Sequence, residues 1–352
     1  MTTFYIKHIT KYSYSNPVID GATLIRLHPI NDEYQQVVSH FISVTNNSLV
    51  ETYDDFYGNK IGTFLITEPH DELSIISEVE VNKTSRLFPD DSKDIKTQWA
   101  ELNLRKYDAD VIDFLKPATF SGFEEVLNLI QSKKLNEKTP YKVALELCEY
   151  VYSNFKYIQG VTNVDSTLNE VWDLKAGVCQ DFTNVLLQMV RMSGIPARYV
   201  SGYICPTDDI SRGEGATHAW IEAYIPFYGW LGIDPTNNAI ANENHVRLAV
   251  GRNYEDCSPV KGVFKRKVES DLFVKVEIST TKHKENIEVP PNTFTGSNSN
   301  NSYQRNLERI QQQQQHITPK VTPSVVAILQ PLESFGFGAF NRKIQQRHGR
   351  RF

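Results

Sequence analysis

Three side chains, well separated in sequence, have the types that acyl-transfer chemistry needs. Cys179 sits in Lys175-Ala176-Gly177-Val178-Cys179-Gln180-Asp181-Phe182, His218 in Ala216-Thr217-His218-Ala219-Trp220, and Asp234 in Trp230-Leu231-Gly232-Ile233-Asp234-Pro235-Thr236. A thiolate attacks a carbonyl carbon, an imidazole moves the protons, and a carboxylate fixes the tautomer and orientation of the imidazole. Each residue also has a plainer reading. A lone cysteine is commonly a small buried hydrophobe, a strand histidine a surface or satisfied core residue, and an aspartate before proline turn chemistry.

Local sequence bears on the choice. Gly177 interrupts regular structure, and Phe182, Val185, Leu186 and Met189 then follow helical spacing up to Gly194-Ile195-Pro196. Cys179 is therefore expected in the first turn of a helix. The unpaired N–H groups and positive dipole end of a helix start favour a thiolate. His218 opens a predicted strand that divides cleanly. Ala219, Ile221, Ala223 and Ile225 form one apolar face, and His218, Trp220, Glu222 and Tyr224 share the other. Asp234 ends the next strand. A simple loop over residues 226–229 would set Asp234 against Ile221, so contact with His218 requires an asymmetric loop, a bulge or a diagonal approach across a twisted ladder. Trp220, Tyr224, Phe227, Tyr228 and Trp230 are open to two readings, cleft wall or core. A zinc site from Cys179, His218 and Asp234 lacks a short-range ligand pair and has only three ligands, so neither metal nor cofactor is expected.

The elements that must hold these residues change character along the chain. Residues 1–83 read as β, with strands near residues 4–10, 41–45, 61–67 and 73–81 separated by turn chemistry, the pattern of a small sandwich or barrel. This region has no cluster of chemical residues, and packing or substrate positioning is its expected use. Residues 84–107 read as a mixed, polar connector. Helical patterns follow at 108–115, at 122–133, and after Thr139, which caps a helix with Pro140 at its first position. Cys148 lies on the apolar stripe of that third helix and reads as core. From Leu168 the order is helix, the Cys179 helix, then strands at 197–205, 218–225, 230–233 and 272–279. This α+β region spans residues 108–280. Residues 281–352 include Gly296-Ser297-Asn298-Ser299-Asn300-Asn301-Ser302 and Gln311 through Gln315, and predict a low-complexity, disordered tail.

Bulk properties narrow the partners. A chain of 352 residues with 40% hydrophobic content can bury two cores. Residues 281–352 hold 10 Lys/Arg against 4 Asp/Glu, so residues 1–280 carry −11 of a total of −5. An acidic body argues against nucleic acid as the main partner. No stretch approaches the ~18 consecutive apolar residues of a membrane span, and Met1-Thr2-Thr3-Phe4-Tyr5-Ile6-Lys7-His8 has no apolar run of signal-peptide length. Cys148, Cys179, Cys205 and Cys257 show no metal-ligand or disulfide spacing and suit a reducing compartment, so a cytoplasmic location is expected.

Taken together, several of these segments resemble the bacterial transglutaminase-like superfamily. They are Gly177-Val178-Cys179-Gln180-Asp181-Phe182, the run from Gly194-Ile195-Pro196 to Gly202-Tyr203, Thr217-His218-Ala219-Trp220, and Gly229-Trp230 through Asp234-Pro235-Thr236. Tyr12-Ser13-Tyr14-Ser15-Asn16-Pro17-Val18, Arg26-Leu27-His28-Pro29 and Phe56-Tyr57-Gly58-Asn59 look like the β domain preceding the core in those proteins. Val250-Gly251-Arg252-Asn253-Tyr254 and Ser258-Pro259-Val260-Lys261-Gly262 are similar to the close of their core. The likeness covers residues 1 to about 280. It implies a papain-like α+β core over residues 108–280, with Cys179 as nucleophile, His218 as general base and acid, and Asp234 as orienter. Placement against the family makes Tyr157 a candidate oxyanion donor beside the Cys179 N–H. Thr183-Asn184 depart from the usual small residue plus histidine. The implied chemistry is hydrolysis or transfer of an acyl group from an amide. The expected cytoplasmic location favours hydrolysis of a peptide or protein amide through a thioester, with acyl transfer to an amine and an inactive scaffold as the competing readings.

Overall fold

The computed structural model describes residues 1–163, 166–205, 217–265 and 268–282, the side chain of Asn136 excepted. The expected tail lies, from residue 283 on, outside the described residues.

Strands β1 (Thr2–Ile25), β2 (Gln35–Val44), β3 (Glu51–Asp54), β4 (Lys60–Ile66) and β5 (His70–Lys83) form the N-terminal β region. Along β1, Phe4, Ile6, His8 and Thr10 are buried while their neighbours are partly exposed, the alternation of a strand with one face on a core. The register slips between Ser13 and Val18 against β5, and again between Ile19 and Ala22 further on. These irregularities divide β1 into two halves. The first half pairs antiparallel with β5, and beyond it β2; the second pairs with β4, and beyond it β3.

Helices α1 (Ile95–Arg105), α2 (Phe123–Ser132), α3 (Pro140–Asn154), α4 (Leu168–Leu174) and α5 (Cys179–Met192) follow, with the short parallel pair β6 (Lys156–Tyr157) and β7 (Ala176–Gly177) between them. Then come β8 (Ala197–Ile204), β9 (Thr217–Ile225), β10 (Gly229–Asp234), β11 (Ala239–Ile240) and β12 (His245–Gly251), in an antiparallel sheet of order β11-β10-β9-β8-β12. The chain continues through α6 (Tyr254–Cys257), β13 (Val260–Lys265) and β14 (Ser270–Ser279).

Two cores hold this together. Phe182, Val185, Leu186 and Met189 of α5 are fully buried against Ala219, Ile221, Ala223 and Ile225, the predicted apolar face of β9. Val143, Leu147 and Cys148 of α3 join the same core. Burying each large side chain contributes about 1.5–3 kcal/mol. The β8–β12 end of the sheet meets the N-terminal region, where Tyr203, Val246 and Leu248 pack with Phe4, Ile6, Ile75 and Val81.

The structure departs from the sequence expectations at several places. Residues 95–105 of the expected connector are helical: the Asp94 carboxylate accepts from Thr97 N and starts α1, which buries only Gln98 and Leu102. The helix expected at 108–115 is reduced to a 3-10 turn, Ile112–Phe114. The strand expected at 272–279 forms as β14, but it pairs with the first half of β1, from Tyr5↔Ser279 to Tyr14↔Ser270. With β13 on the second half of β1, the end of the segment read as core completes the N-terminal sheets. Lastly, β12 was not anticipated. Local alternation identifies a strand without naming its partner. Among the described residues no helix is long and apolar enough to cross a membrane.

Candidate active site

The start of α5 is built around Asp181. Its Oδ2 accepts from Val178 N at 2.8 Å and from Thr162 Oγ1 at 2.6 Å. Burial raises the Asp181 carboxyl above its usual range, against the effect of these two donors. Gly177 is required here, because a Cβ at this position would overlap the Asp181 carboxylate. Asp181 N and Phe182 N both donate to Val178 O. Cys179 N and Gln180 N, at the first two positions of the helix, have no acceptor within it. Cys179 is half-buried, whereas Cys148, Cys205 and Cys257 are buried, and all four are free thiols. Burial pushes Cys205 up to about 12 and Cys148 and Cys257 well above the ordinary thiol range. The Cys148 thiol donates to the carbonyl of Asp234 at 3.5 Å.

His218 and Asp234 meet by the first and third of the anticipated routes. The loop is residues 226–228, with Gly229 paired to Ile225 and Ile233 to Ile221. Phe227 and Gly229 take positive φ of 66° and 95° to close it. This register carries Asp234 past Ile221, in line with Trp220 and on the face of His218. His218 Nε2 then reaches Asp234 Oδ2 diagonally at 2.8 Å, both side chains being inaccessible to solvent.

Asp234 is heavily supported. Its Oδ1 accepts from Thr236 N at 2.9 Å, and its Oδ2 also accepts from Asn237 Nδ2 at 2.8 Å. A second imidazole, His245 Nε2 at the start of β12, lies 3.3 Å from the same Oδ2. Burial opposes ionisation of Asp234, but the two histidines hold its carboxyl far below the ordinary range. Burial also opposes a charge on His218; Asp234 and the neighbouring Cys179 thiol overcome this and raise it to about 10. With Nε2 committed to Asp234, the nitrogen left for the sulfur is Nδ1, which is buried and without a hydrogen-bond partner. Such an arrangement can hold a thiolate beside an imidazolium. Ligand atoms of His218, Asp234 and His245 lie within 4.8 Å of one another. Both imidazoles stand at hydrogen-bond distance from Asp234 Oδ2, which already has three donors, so the trio is a hydrogen-bonded network.

Cys179 and His218 open onto a cavity of about 260 Å³ whose far wall belongs to the N-terminal sheet. His8, Thr10 and Tyr12 of β1 face it, with Leu272 and Val274 of β14. Thr10 pairs with Val274 and Tyr12 with Leu272 across the two strands. His8 is locked into this wall by Tyr203 Oη at 2.9 Å and Thr10 Oγ1 at 3.1 Å, and burial lowers it to about 4. Among the described residues the lining contains no Asp, Glu, Lys or Arg.

The aromatic residues near β9 and β10 serve elsewhere. Trp220 is buried and, with Tyr228 and Trp230, borders a separate cavity of about 290 Å³. Tyr224 packs edge-on against Trp230, and the Lys93 ammonium sits over Phe227. Tyr157 is brought beside the α5 start by its pairing with Gly177, its ring edge-on to Phe182. His245 escaped the sequence reading altogether; the alternation of Val246, Leu248 and Val250 was the available signal for its strand.

Comparison with known proteins agrees with this architecture. Residues 128–235 match the model of the transglutaminase-like superfamily, and residues 4–82 that of the bacterial transglutaminase-like N-terminal region. An uncharacterised protein of Mycobacterium leprae is 31% identical over 277 residues, covering 78% of this chain and 97% of that protein. A protein-glutamine gamma-glutamyltransferase of Pseudomonas aeruginosa is 32% identical over 80 residues, 21% of this chain and 12% of that protein. The crystal structure of a candidate cysteine protease from Cytophaga hutchinsonii shares the fold with a TM-score of 0.63 at 22% identity, covering 80% of this chain and 92% of that one. The chain belongs to the transglutaminase-like superfamily.

Proposed function

We propose that the chain is a cysteine-dependent hydrolase of peptide or amide bonds, working through a thioester with Cys179 as nucleophile, His218 as acid and base, and Asp234 as orienter. The observation that carries this reading is the shared buried carboxylate–imidazole contact, 2.8 Å long, with Nδ1 left to the sulfur. The Cys179 thiolate adds to the amide carbonyl, and the oxyanion is met by Cys179 N–H with Tyr157 as candidate second donor. His218 Nδ1 gives its proton to the leaving nitrogen as the C–N bond breaks. It then takes a proton from water, which adds to the thioester carbonyl; the C–S bond breaks and the acid leaves.

The described lining of the cleft, which has no Asp, Glu, Lys or Arg, favours uncharged, largely apolar chain next to the scissile amide. Acyl transfer remains the second reading, supported by the partial similarity to the Pseudomonas aeruginosa enzyme. The four free thiols suit a reducing compartment such as the cytoplasm.

Two measurements test the proposal. Intact-mass analysis after brief iodoacetamide treatment should find one adduct, on Cys179 ahead of Cys148, Cys205 and Cys257; equal labelling of all four would leave an inactive scaffold. Incubation of glutamine-containing peptides with a labelled amine should release free acid in excess of the amine adduct. The reverse ratio makes the chain a transglutaminase.

A further inference from the structure

His245 makes no contact with the thiol cleft and has no part in the proton transfers above, yet it is buried against the same carboxylate oxygen as His218. We infer that His245 is a positioning residue for the reaction, which acts through Asp234 to set how tightly His218 holds its proton. This rests on the hydrolase reading of Cys179, His218 and Asp234.

The geometry restricts what the second imidazole can do. A carboxylate only accepts, so His245 must present an N–H at Nε2, which fixes its tautomer with Nδ1 unprotonated when the ring is neutral. The Trp220 ring stands edge-on to it with centroids 5.1 Å apart and holds its plane. The two imidazole centroids are 6.0 Å apart and both rings are buried, so two positive charges there repel strongly. One of the pair must stay neutral. His218 has the shorter bond to Oδ2 and the Cys179 thiol as a neighbour that favours its charged form. His245 has the longer bond, and from β5 it faces the buried Lys83 ammonium. Burial first, then the His218 charge and Lys83, keep His245 neutral against the pull of Asp234. Cys148 on α3, beside Asp234, is held as a neutral thiol, and Glu222 and Arg247 border the same cavity as His245.

A neutral donor on Oδ2 draws negative charge away from His218 and stops the carboxylate from rotating off the imidazole axis. Both effects matter to a residue that must release its proton to a leaving amine: a carboxylate with fewer donors holds the imidazolium more tightly.

The test follows the pH dependence of Cys179 alkylation in the full chain, which needs no substrate. Its alkaline transition reports loss of the His218 proton. In His245→Phe, which keeps a ring beside Trp220 but removes the donor, that transition should move up by about half a pH unit. In His245→Gln, whose amide N–H can reach Oδ2, it should return to the wild-type position. A rate lowered equally at every pH with the transition unmoved, or a failure of glutamine to restore it, overturns the assignment. Nitrogen-15 histidine NMR of the wild type gives a reading that needs no variant. His245 should stay a neutral Nε2–H tautomer from pH 6 to 9 while His218 stays an imidazolium; titration of His245 in that range, or the other tautomer, overturns it too. If wild-type Cys179 does not label ahead of the other thiols, the hydrolase reading itself falls; normal labelling with an unmoved transition removes only the role of His245.

Discussion

Asp234 and His218 are not cross-strand neighbours: the β9–β10 ladder ends at Ile233↔Ile221, and the carboxylate reaches back along the face of β9 to an imidazole level with no residue of β10. The contact depends on the three-residue loop at 226–228. One more residue there would put Asp234 opposite Ile221 and turn its side chain toward α5, since a one-residue slip reverses every side chain. Inserting a glycine between Phe227 and Tyr228 should therefore abolish selective labelling of Cys179. Asp234→Asn keeps an acceptor for Thr236 N but leaves His218 without its counter-charge. It should slow Cys179 alkylation at neutral pH by about 100-fold or more and destabilise the fold by about 1–3 kcal/mol in urea denaturation.

Stability should fall on both sides of about pH 6.5, for different reasons. His218 is raised to about 10 by Asp234 and Cys179 in the folded chain. Its contribution is complete below the unfolded value of about 6.5 and is lost as pH climbs toward 10. His8, His28 and His40 are each lowered to about 4, chiefly by burial. The unfolded chain therefore binds protons at these sites first, and stability drops as pH falls from about 6.5 to 4. The depressed carboxyl of Asp234 adds a further loss only below about pH 4. Urea midpoints between pH 4.5 and 9.5 check this. His218→Gln should flatten the alkaline side, and His8→Asn the acid side; a pH-independent midpoint in the wild type would refute both assignments.

What the sequence made legible depended on how each element is buried. α5 and β9 place one face on a core, so Phe182, Val185, Leu186 and Met189, and Ala219 through Ile225, carry clear periods. α1 buries only Gln98 and Leu102, one of them polar, and leaves no comparable stripe. The pairing of β14 with β1 joins residues more than 250 positions apart, and alternation in Leu272, Val274, Val276 and Ile278 does not name a partner. Cys179, His218 and Asp234 stood out because each occupies a distinctive setting. His245 bears no spacing relation to them and is brought in by the β8–β12 pairing alone. The N-terminal region was expected to pack or to position substrate, and His8, Thr10 and Tyr12 do border the thiol cleft.

Gly177 offers a test of the helix start that leaves the three reacting side chains in place. Any Cβ there displaces the Asp181 carboxylate from Val178 N and Thr162 Oγ1. Gly177→Ala should cost about 1–2 kcal/mol of stability through the lost cap. It should cost more in reactivity, because the N–H groups of the first turn no longer point as a fixed set toward the sulfur and its oxyanion. The expected result is a Cys179 alkylation rate reduced by at least about tenfold in a protein that remains folded by circular dichroism. Asp181→Asn, which keeps an acceptor for Val178 N, should retain most of that rate.

Leu272 tests whether the N-terminal sheet selects substrate. Its side chain lines the thiol cleft opposite Tyr12 and is 56% exposed, so little core packing depends on it. Leu272→Glu should leave the urea midpoint within about 0.5 kcal/mol of wild type. The new carboxylate would stand in a wall whose described lining otherwise holds no Asp, Glu, Lys or Arg, and an apolar substrate residue seated there would lose its partner. kcat/KM toward fluorogenic peptide amides with leucine or phenylalanine beside the scissile bond should fall about tenfold or more, while peptides with lysine at that position should gain. Iodoacetamide, which needs no such wall, should label Cys179 at the wild-type rate; equal loss toward every peptide would mean that β14 supports the fold of the cleft without reading its occupant.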